Sequence, residues 1–229
     1  EARDAEPYAP LILKTEILND PEVCLDDDST QVYQSKSGKR KEERYRDLIE
    51  RKVLTLETYA RILDRCKSHG LSVLVSVYTQ SGAEFARDQG CVALKTNSGN
   101  VTNIAHIRMV ASMGLPIIID TGKAYLSEVD VALRQARGLG NDAVILQHSP
   151  DGHPAPPQNH NMRTLATLKQ AFDVHTGLSC HGRGVDYLVM AVTLGAKILE
   201  KNFVEEDWLL EQDYAISEPI TNLNETLRR

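Results

Sequence analysis

The sequence predicts an α/β chain of the TIM (β/α)8-barrel type, and three observations point there. Short apolar runs alternate with helical patterns along the 229 residues. Almost every run closes on a polar or charged residue, and no GxGxxG follows any of them. Runs this short that lack polar–apolar alternation read as parallel strands buried on both faces. A barrel gathers the C-terminal ends of all its strands around one site. An open doubly wound sheet concentrates its ligand groups at a single switch point, which favours the barrel here.

The strands are read, in order, from Leu11-Ile12-Leu13, Val73-Leu74-Val75-Ser76-Val77, Val92-Ala93-Leu94, Ile117-Ile118-Ile119, Ala143-Val144-Ile145-Leu146, Thr176-Gly177-Leu178 and Lys197-Ile198-Leu199. The residues that close them are Lys14, Ser76, Lys95, Asp120, Gln147-His148, Ser179 and Glu200. Leu56, Tyr59, Ala60 and Leu63 fall at i, i+3, i+4, i+7, a helix that Gly70 should stop. Ser127 with Asp130 resembles an N-cap with an acidic third position, and Leu126 with Val131 a hydrophobic staple around it. Ile104 to Met113, Met162 to Phe172 and Asp186 to Leu194 complete the helices. Residues 1–229 are taken as one barrel domain, one strand short of eight. The polar stretch of about 16–54, with Asp26-Asp27-Asp28 and Ser35-Lys36-Ser37-Gly38, is expected to be a long loop on the catalytic face.

Composition narrows the function. With 26 Lys+Arg against 32 Asp+Glu the net charge is −6, which gives no general attraction to nucleic acid. The basic stretch from Lys36 to Arg46 is broken by Glu42 and Glu43 and reads as a solvated loop entering a helix. No apolar run reaches the roughly 18–20 residues of a membrane helix. The first residues, Glu1 to Asp4, are charged and unlike a signal peptide, and because the chain does not start on Met the presence of a segment upstream is left open. The four cysteines (Cys24, Cys66, Cys91, Cys180) are scattered without CxxC spacing, so a reducing cytoplasm is the expected setting and zinc ribbons are excluded.

Lys14 and Lys95 each close an apolar strand. If both point inward, their like charges call for an anion between them, a phosphate or carboxylate, with Ser76, Ser98 and the Asn97-Ser98-Gly99 backbone as neutral donors. A Schiff-base lysine would leave the same trace. His181 follows the Thr176–Leu178 run, Glu200 ends the Lys197–Leu199 run and Asp213 lies a short loop further on. Three such groups are candidates for a divalent cation, and a hydrogen-bonded histidine beside a carboxylate is the structural alternative. His148 and His153 lie in a proline-rich loop beside Asp151. Cys180 adjoins His181 only in sequence and is a poor nucleophile candidate.

The order of these motifs resembles the N-acetylneuraminate (sialic acid) synthase family. Leu13-Lys14-Thr15 is similar to its "VKFQ", Ser76-Val77-Tyr78 to "STPF" and Leu94-Lys95-Thr96-Asn97-Ser98-Gly99 to "KI(G/A)SG". Gly114 to Gly122 resembles "GKPIILSTG", His148 to Pro156 "HCxxxYPxP", and Gly177 to His181 "GLSDH". Gly195 to Phe203 resembles "GAxxIEKHF", and Gln212 to Ser217 "GPDHxxS". The likeness is colinear from about Leu11 to Ser217.

The resemblance implies a condensation of phosphoenolpyruvate with an open-chain amino-sugar aldehyde, releasing phosphate, with Mn or Mg as divalent metal. It implies phosphoenolpyruvate held by Lys14, Ser76, Lys95 and Ser98 with Asp120, Asp151 and Ser179 at substrate-facing positions. The metal falls to His181, assisted by Glu200 and Asp213, and a homodimer is expected. Two counterparts are missing from the sequence: the strand-end motif "AEIGxNHxG" and the C-terminal antifreeze-like domain. Asn202 stands where the family has a second metal-binding histidine, and Asn100 replaces a glutamate. Asp120 replaces a serine, Asp151 an asparagine, His153 a tyrosine and Tyr214 a histidine. These departures mark a divergent member. They leave open a non-catalytic homologue that binds or regulates a true synthase, or a Schiff-base lyase or aldolase using Lys14 or Lys95.

Overall fold

The structure, a computed structural model, describes residues 10–35, 37–205 and 210–229. The charged residues 1–4 and Lys36, singled out above, lie outside the described residues. Strands β1 (Ile12–Ile17), β2 (Thr30–Gln34) and β3 (Arg40–Arg44) are followed by helices α1 (Tyr45–Glu50) and α2 (Leu56–Ser68). Then come β4 (Ser72–Val77), α3 (Gln80–Asp88), β5 (Ala93–Thr96), α4 (Ile104–Ala111), β6 (Ile117–Asp120) and α5 (Leu126–Arg137). The rest is β7 (Val144–His148), α6 (Thr164–Phe172), β8 (His175–Ser179), α7 (Asp186–Thr193), β9 (Ile198–Glu200), the short pair β10 (Phe203–Val204) and β11 (Glu218–Pro219), and α8 (Leu223–Arg228).

All seven predicted strands form one sheet in the order β1-β4-β5-β6-β7-β8-β9. The expected α/β class holds. The chain divides into two compact units within β7. Among described residues, the first unit is Leu11–Thr30 with Arg44–Ile145, and the second is Pro10, Gln31–Glu43 and Leu146–Arg229.

In the first unit β1, β4, β5 and β6 pair in parallel, and the registers give the sheet two distinct faces. Ile17, Val75, Val77, Leu94, Ile117 and Ile119 are wholly buried, the alternate positions along their strands. Helices are joined to the strands by local caps. Thr55 Oγ1 accepts from Thr58 N (3.2 Å) at the start of α2, and Tyr59 of that helix accepts at Oη from Leu18 N (3.0 Å), fixing the end of β1. The small residues Gly82, Ala83 and Ala86 bury one side of α3, and Thr79 caps it through Gly82 N (3.0 Å). That helix, with few large apolar residues, is absent from the sequence prediction.

Two expectations need correction. The stretch of about 16–54 is not one loop: it holds the end of β1, the β2–β3 ribbon and α1. Arg46, 7% exposed, orders part of it by binding Glu22 (2.6 Å), Glu50 (2.7 Å) and the carbonyl of Pro21 (3.0 Å). Nor does Ser127 cap a helix: α5 starts at Leu126, and Glu128 reaches back to accept from Tyr125 N (2.7 Å). Leu126 and Val131 are both exposed rather than stapled. The carboxylate at the third helical position satisfies the cap, so no hydroxyl was needed.

In the second unit β8 and β9 pair in parallel, with Ser179 beside Glu200. A Cβ on Gly177 would fall 2.2 Å from Ile198 Cγ2, so only glycine lets these strands pack this way. Leu165 of α6 and Leu188 and Ala191 of α7 pack with Leu178, Cys180 and Val185.

Candidate active site

In the first unit the polar strand ends lie on one face. Register partners in a parallel sheet point the same way, and Glu16 pairs with Ser76 and Ser76 with Lys95. Lys95 pairs with Ile118, two residues before Asp120. Lys14, Glu16, Ser76, Lys95 and Asp120 therefore share a face, opposite the buried aliphatic residues.

The lysines are not bare cations awaiting a guest, which corrects the premise of the sequence reading. Lys95 is 3% exposed and its Nζ lies 2.9 Å from Asp120 Oδ2. Lys14 Nζ donates to Glu16 Oε1 at 3.1 Å, with side chains 23% and 49% exposed. Glu16 is thus half open to water although protein atoms crowd it. That crowding opposes its ionisation, but the charge and hydrogen bond of Lys14, the Tyr78 hydroxyl and the charge of Lys95 outweigh it and hold its pKa below 4.5. Burial, then the charge and hydrogen bond of Glu16, push the Tyr78 phenol well above 10, and Asn97 opposes this.

Asn97 ties the next turn together. Its Oδ1 accepts from Asn100 N (3.1 Å) and Asn100 Nδ2 (3.1 Å), so Asn100, where the resemblance has a glutamate, serves the loop. Ser98 opens that turn and is partly exposed.

In the second unit Gln147, Ser149, Ser179, His181 and Glu200 form the corresponding set. Gln147 Nε2 donates to Glu200 Oε2 at 3.3 Å. His181 Nδ1 donates to Pro150 O at 2.7 Å, which leaves Nε2 as the acceptor. The hydroxyls of Ser179 (3.3 Å) and Ser149 (3.5 Å) face that nitrogen. His153 stacks near His181, ring centroids 4.1 Å apart, and its Nε2 lies 3.7 Å from Asp213 Oδ1. Asp151 is exposed in the adjoining turn, where Gly152 has φ +112° and a Cβ would meet Ala155 and Pro154 at 3.0 Å.

His148 lies elsewhere, donating Nε2–H to His160 O at 2.6 Å, and burial lowers its pKa. Cys180 is buried and its thiol is pushed up by that burial, with Lys201 opposing, so it is no ready thiolate.

A histidine that gives Nδ1–H to a backbone carbonyl has the orientation of many metal ligands. Yet among the described residues no three of His, Cys, Asp and Glu group closely enough to hold a metal ion. His181 is one oriented donor, and Asn202 offers only an amide.

The sequence reading identified Lys14, Ser76, Lys95 and Asp120, and the first unit brings them onto one face. It grouped His181, Glu200 and Asp213; in the second unit Ser179 stands beside Glu200 and its hydroxyl faces His181, whereas Asp213 lies against His153. It gave no role to Glu16, Tyr78 and Ser149, named Gln147 only as a strand end, and took Asn97 only for its backbone. Glu16, Tyr78 and Asn97 lie two residues from Lys14, Ser76 and Lys95, and that spacing was the available signal.

A parallel α/β sheet with its charged and hydrogen-bonding residues at strand C-termini defines a class of enzyme-like scaffold whose chemistry sits at that end. Within it, the chain belongs to the NeuB family, whose model matches residues 12–229. It is 29% identical over 203 residues to the N,N'-diacetyllegionaminic acid synthase of Legionella pneumophila, covering 86% of this chain and 57% of that protein. The structure of the spore coat polysaccharide biosynthesis protein SpsE from Bacillus subtilis is similar at TM-score 0.72 and 27% identity, over 76% of this chain and 49% of that one. The N-acetylneuraminic acid synthetase of Leptospira borgpetersenii, solved with citrate, shares the fold at TM-score 0.78 and 21% identity, over 96% of this chain and 82% of that one. The chain spans about half the length of the curated relatives it matches. Among the described residues no helix is long and apolar enough to cross a membrane.

Proposed function

We propose that the chain is part of a phosphoenolpyruvate-condensing synthase that joins an amino-sugar or related aldehyde to the three-carbon unit, as a divergent relative of the legionaminic and sialic acid synthases. The observation that carries this is Lys95, an ammonium 3% exposed at a strand C-terminus, on one face with Lys14 and Ser76. Burying a cation there is costly unless it serves binding or is neutralised; here Asp120 neutralises it, and Lys14, 23% exposed, pairs with Glu16 nearer to water. In the reaction, C3 of the enol attacks the aldehyde carbon, whose oxygen takes a proton. Water then adds at C2 and the C–O bond to phosphate breaks. Lys14, Ser76, Lys95 and Ser98 would bind the phosphate and carboxylate. Ser179, His181 and Glu200 would bind and orient aldehyde and hydroxyl groups, with Glu200 or Asp213 carrying the proton. No step is routed through Mn or Mg; His181 would be the residue that holds such an ion, which would polarise the aldehyde oxygen. Closure of an eight-stranded barrel, a homodimer and a cytoplasmic setting belong to the same reading.

The test is phosphate release from phosphoenolpyruvate with manganese and a panel of aldoses. Release that needs both the aldehyde and Lys95 is expected. No release across the panel, with no phosphoenolpyruvate binding by calorimetry, overturns the reading.

Two observations favour a second reading, a non-catalytic homologue: both ammonium groups already have resident carboxylates, and Asn202 stands where the family has an imidazole. It predicts no rise in Tm with phosphoenolpyruvate or manganese and a stable complex with a full synthase. A Schiff-base enzyme fits less well. An amine nucleophile must give up its proton, and the carboxylate beside Lys95 favours the ammonium.

A further inference from the structure

The two ion pairs described on the polar face of the first unit differ in one respect that bears on ligand choice. Asp120 is enclosed with Lys95, both below 10% side-chain exposure at 7% and 3%. Glu16 reaches Lys14 from the same strand, with 49% of its side chain open to water and two methylene groups on which to swing. It stands beside Ser76 in register, and Lys14, Tyr78 and Lys95 all act on its carboxylate. Any acceptor oxygen that approaches Lys14 Nζ on this face meets Glu16 Oε1, already 3.1 Å away.

We propose that Glu16 is a resident counter-ion that competes with a ligand's anionic group for Lys14, and so determines which anions this face accepts. The inference rests on the reading of this face as anion-binding. A singly charged carboxylate gains from Lys14 no more than Glu16 already does, so it has little with which to displace the resident group. A phosphate monoester dianion carries twice the charge and wins the exchange. The favoured ligand class is therefore a phosphate monoester. Displaced from Lys14, Glu16 keeps Tyr78 as its hydrogen-bond donor, so it need not be left bare in the bound state.

The experiment titrates inorganic phosphate into the unaltered chain and into Glu16→Gln, Lys14→Met and the double variant, by calorimetry and by the Nζ signals of 15N-labelled lysine. Because Glu16 is half-open, Glu16→Gln is expected to keep the fold, which an unchanged amide spectrum verifies. Removing one unit charge from a partly exposed anion site should tighten phosphate about tenfold. The gain should vanish in the Lys14→Met background. Equal or weaker phosphate binding by Glu16→Gln, a gain that persists without Lys14, or no binding by any variant overturns the proposal. Tighter phosphate binding by Glu16→Gln in a chain that never releases phosphate from phosphoenolpyruvate would leave the counter-ion standing and remove the condensing function.

Discussion

The strand ends of the two units follow the same spacing and solve the problem of buried polarity in opposite ways. In the first, Lys95 and Asp120 are ions that neutralise each other, and Lys14 and Glu16 repeat the arrangement nearer to water. In the second, the carboxylate of Glu200 accepts from the Gln147 amide, and the hydroxyls of Ser149 and Ser179 face His181, which a backbone carbonyl orients. Charge pairs attract ligands at long range but are vulnerable to loss of one member. Hydrogen-bond networks attract less strongly but present groups in a fixed direction. The difference makes one face suited to capturing an anion and the other to orienting a polar group.

The strongest way to break this contrast is to remove one ion. Asp120→Ala leaves Lys95 charged at 3% exposure with its carboxylate partner gone, and should cost about 3–5 kcal/mol of stability in urea unfolding. Lys95→Met with Asp120→Leu should recover most of that loss, since neither ion then remains. Ser179→Ala in the second unit deletes one hydroxyl contact of 3.3 Å and should cost only about 1 kcal/mol. Equal costs for Asp120→Ala and Ser179→Ala would show that the charged face is no more committed than the hydrogen-bonded one.

Acid should next separate the units by mechanism. Burial lowers the pKa of His148 and His160 in the second unit, and that of His106 in the first to about 4. Each unfolded histidine takes up its proton near 6.5, before the folded one does. The stability they contribute is full above 6.5 and is lost as pH falls toward the folded values. For His106 the loss amounts to about 3 kcal/mol at most. Glu16 has the other window: its stabilisation is present above 4.5 and disappears as pH falls through its lowered pKa. Hydrogen exchange followed by peptide should show loss as pH falls below 6.5 in both units, extending to about 4 in the first. His106→Leu should flatten it in the first unit alone. An unchanged first-unit profile in that variant would remove burial of His106 as the cause.

Much of this was legible in the chain. All seven strands were found because their β-branched runs need both faces buried, and α3 was missed because Gly82, Ala83 and Ala86 bury a helix without a large apolar stripe. The stretch of about 16–54 looked like a loop because its order comes from Arg46 reaching Glu22 and the Pro21 carbonyl, contacts between residues 24 and 25 positions apart. At the site, Lys14 and Lys95 stood out as lone charges after apolar runs. Their partners were harder to see: Asp120 is on another strand, and Glu16 follows at the next same-face position. Reading Leu-Lys-Thr-Glu, Val-Ser-Val-Tyr and Leu-Lys-Thr-Asn with period two exposes Glu16, Tyr78 and Asn97 together. The tautomer of His181 could not be read at all, because it depends on the Pro150 carbonyl across 31 residues of chain.

The finest test compares the Lys14–Glu16 and Lys95–Asp120 pairs of the first unit with each other. A double-mutant cycle on Lys14 and Glu16 should give a coupling below about 1 kcal/mol, because water reaches both side chains and screens them. The same cycle on Lys95 and Asp120 should give several kcal/mol, as each single variant strands an enclosed charge. Raising the salt toward 1 M, where the Debye length is about 3 Å, should erase the first coupling and leave most of the second. If both couplings fall together with salt, solvent reaches Lys95 as freely as Lys14. The enclosed pair would then be as displaceable as the open one, and Asp120 would share with Glu16 the task of competing with an incoming anion.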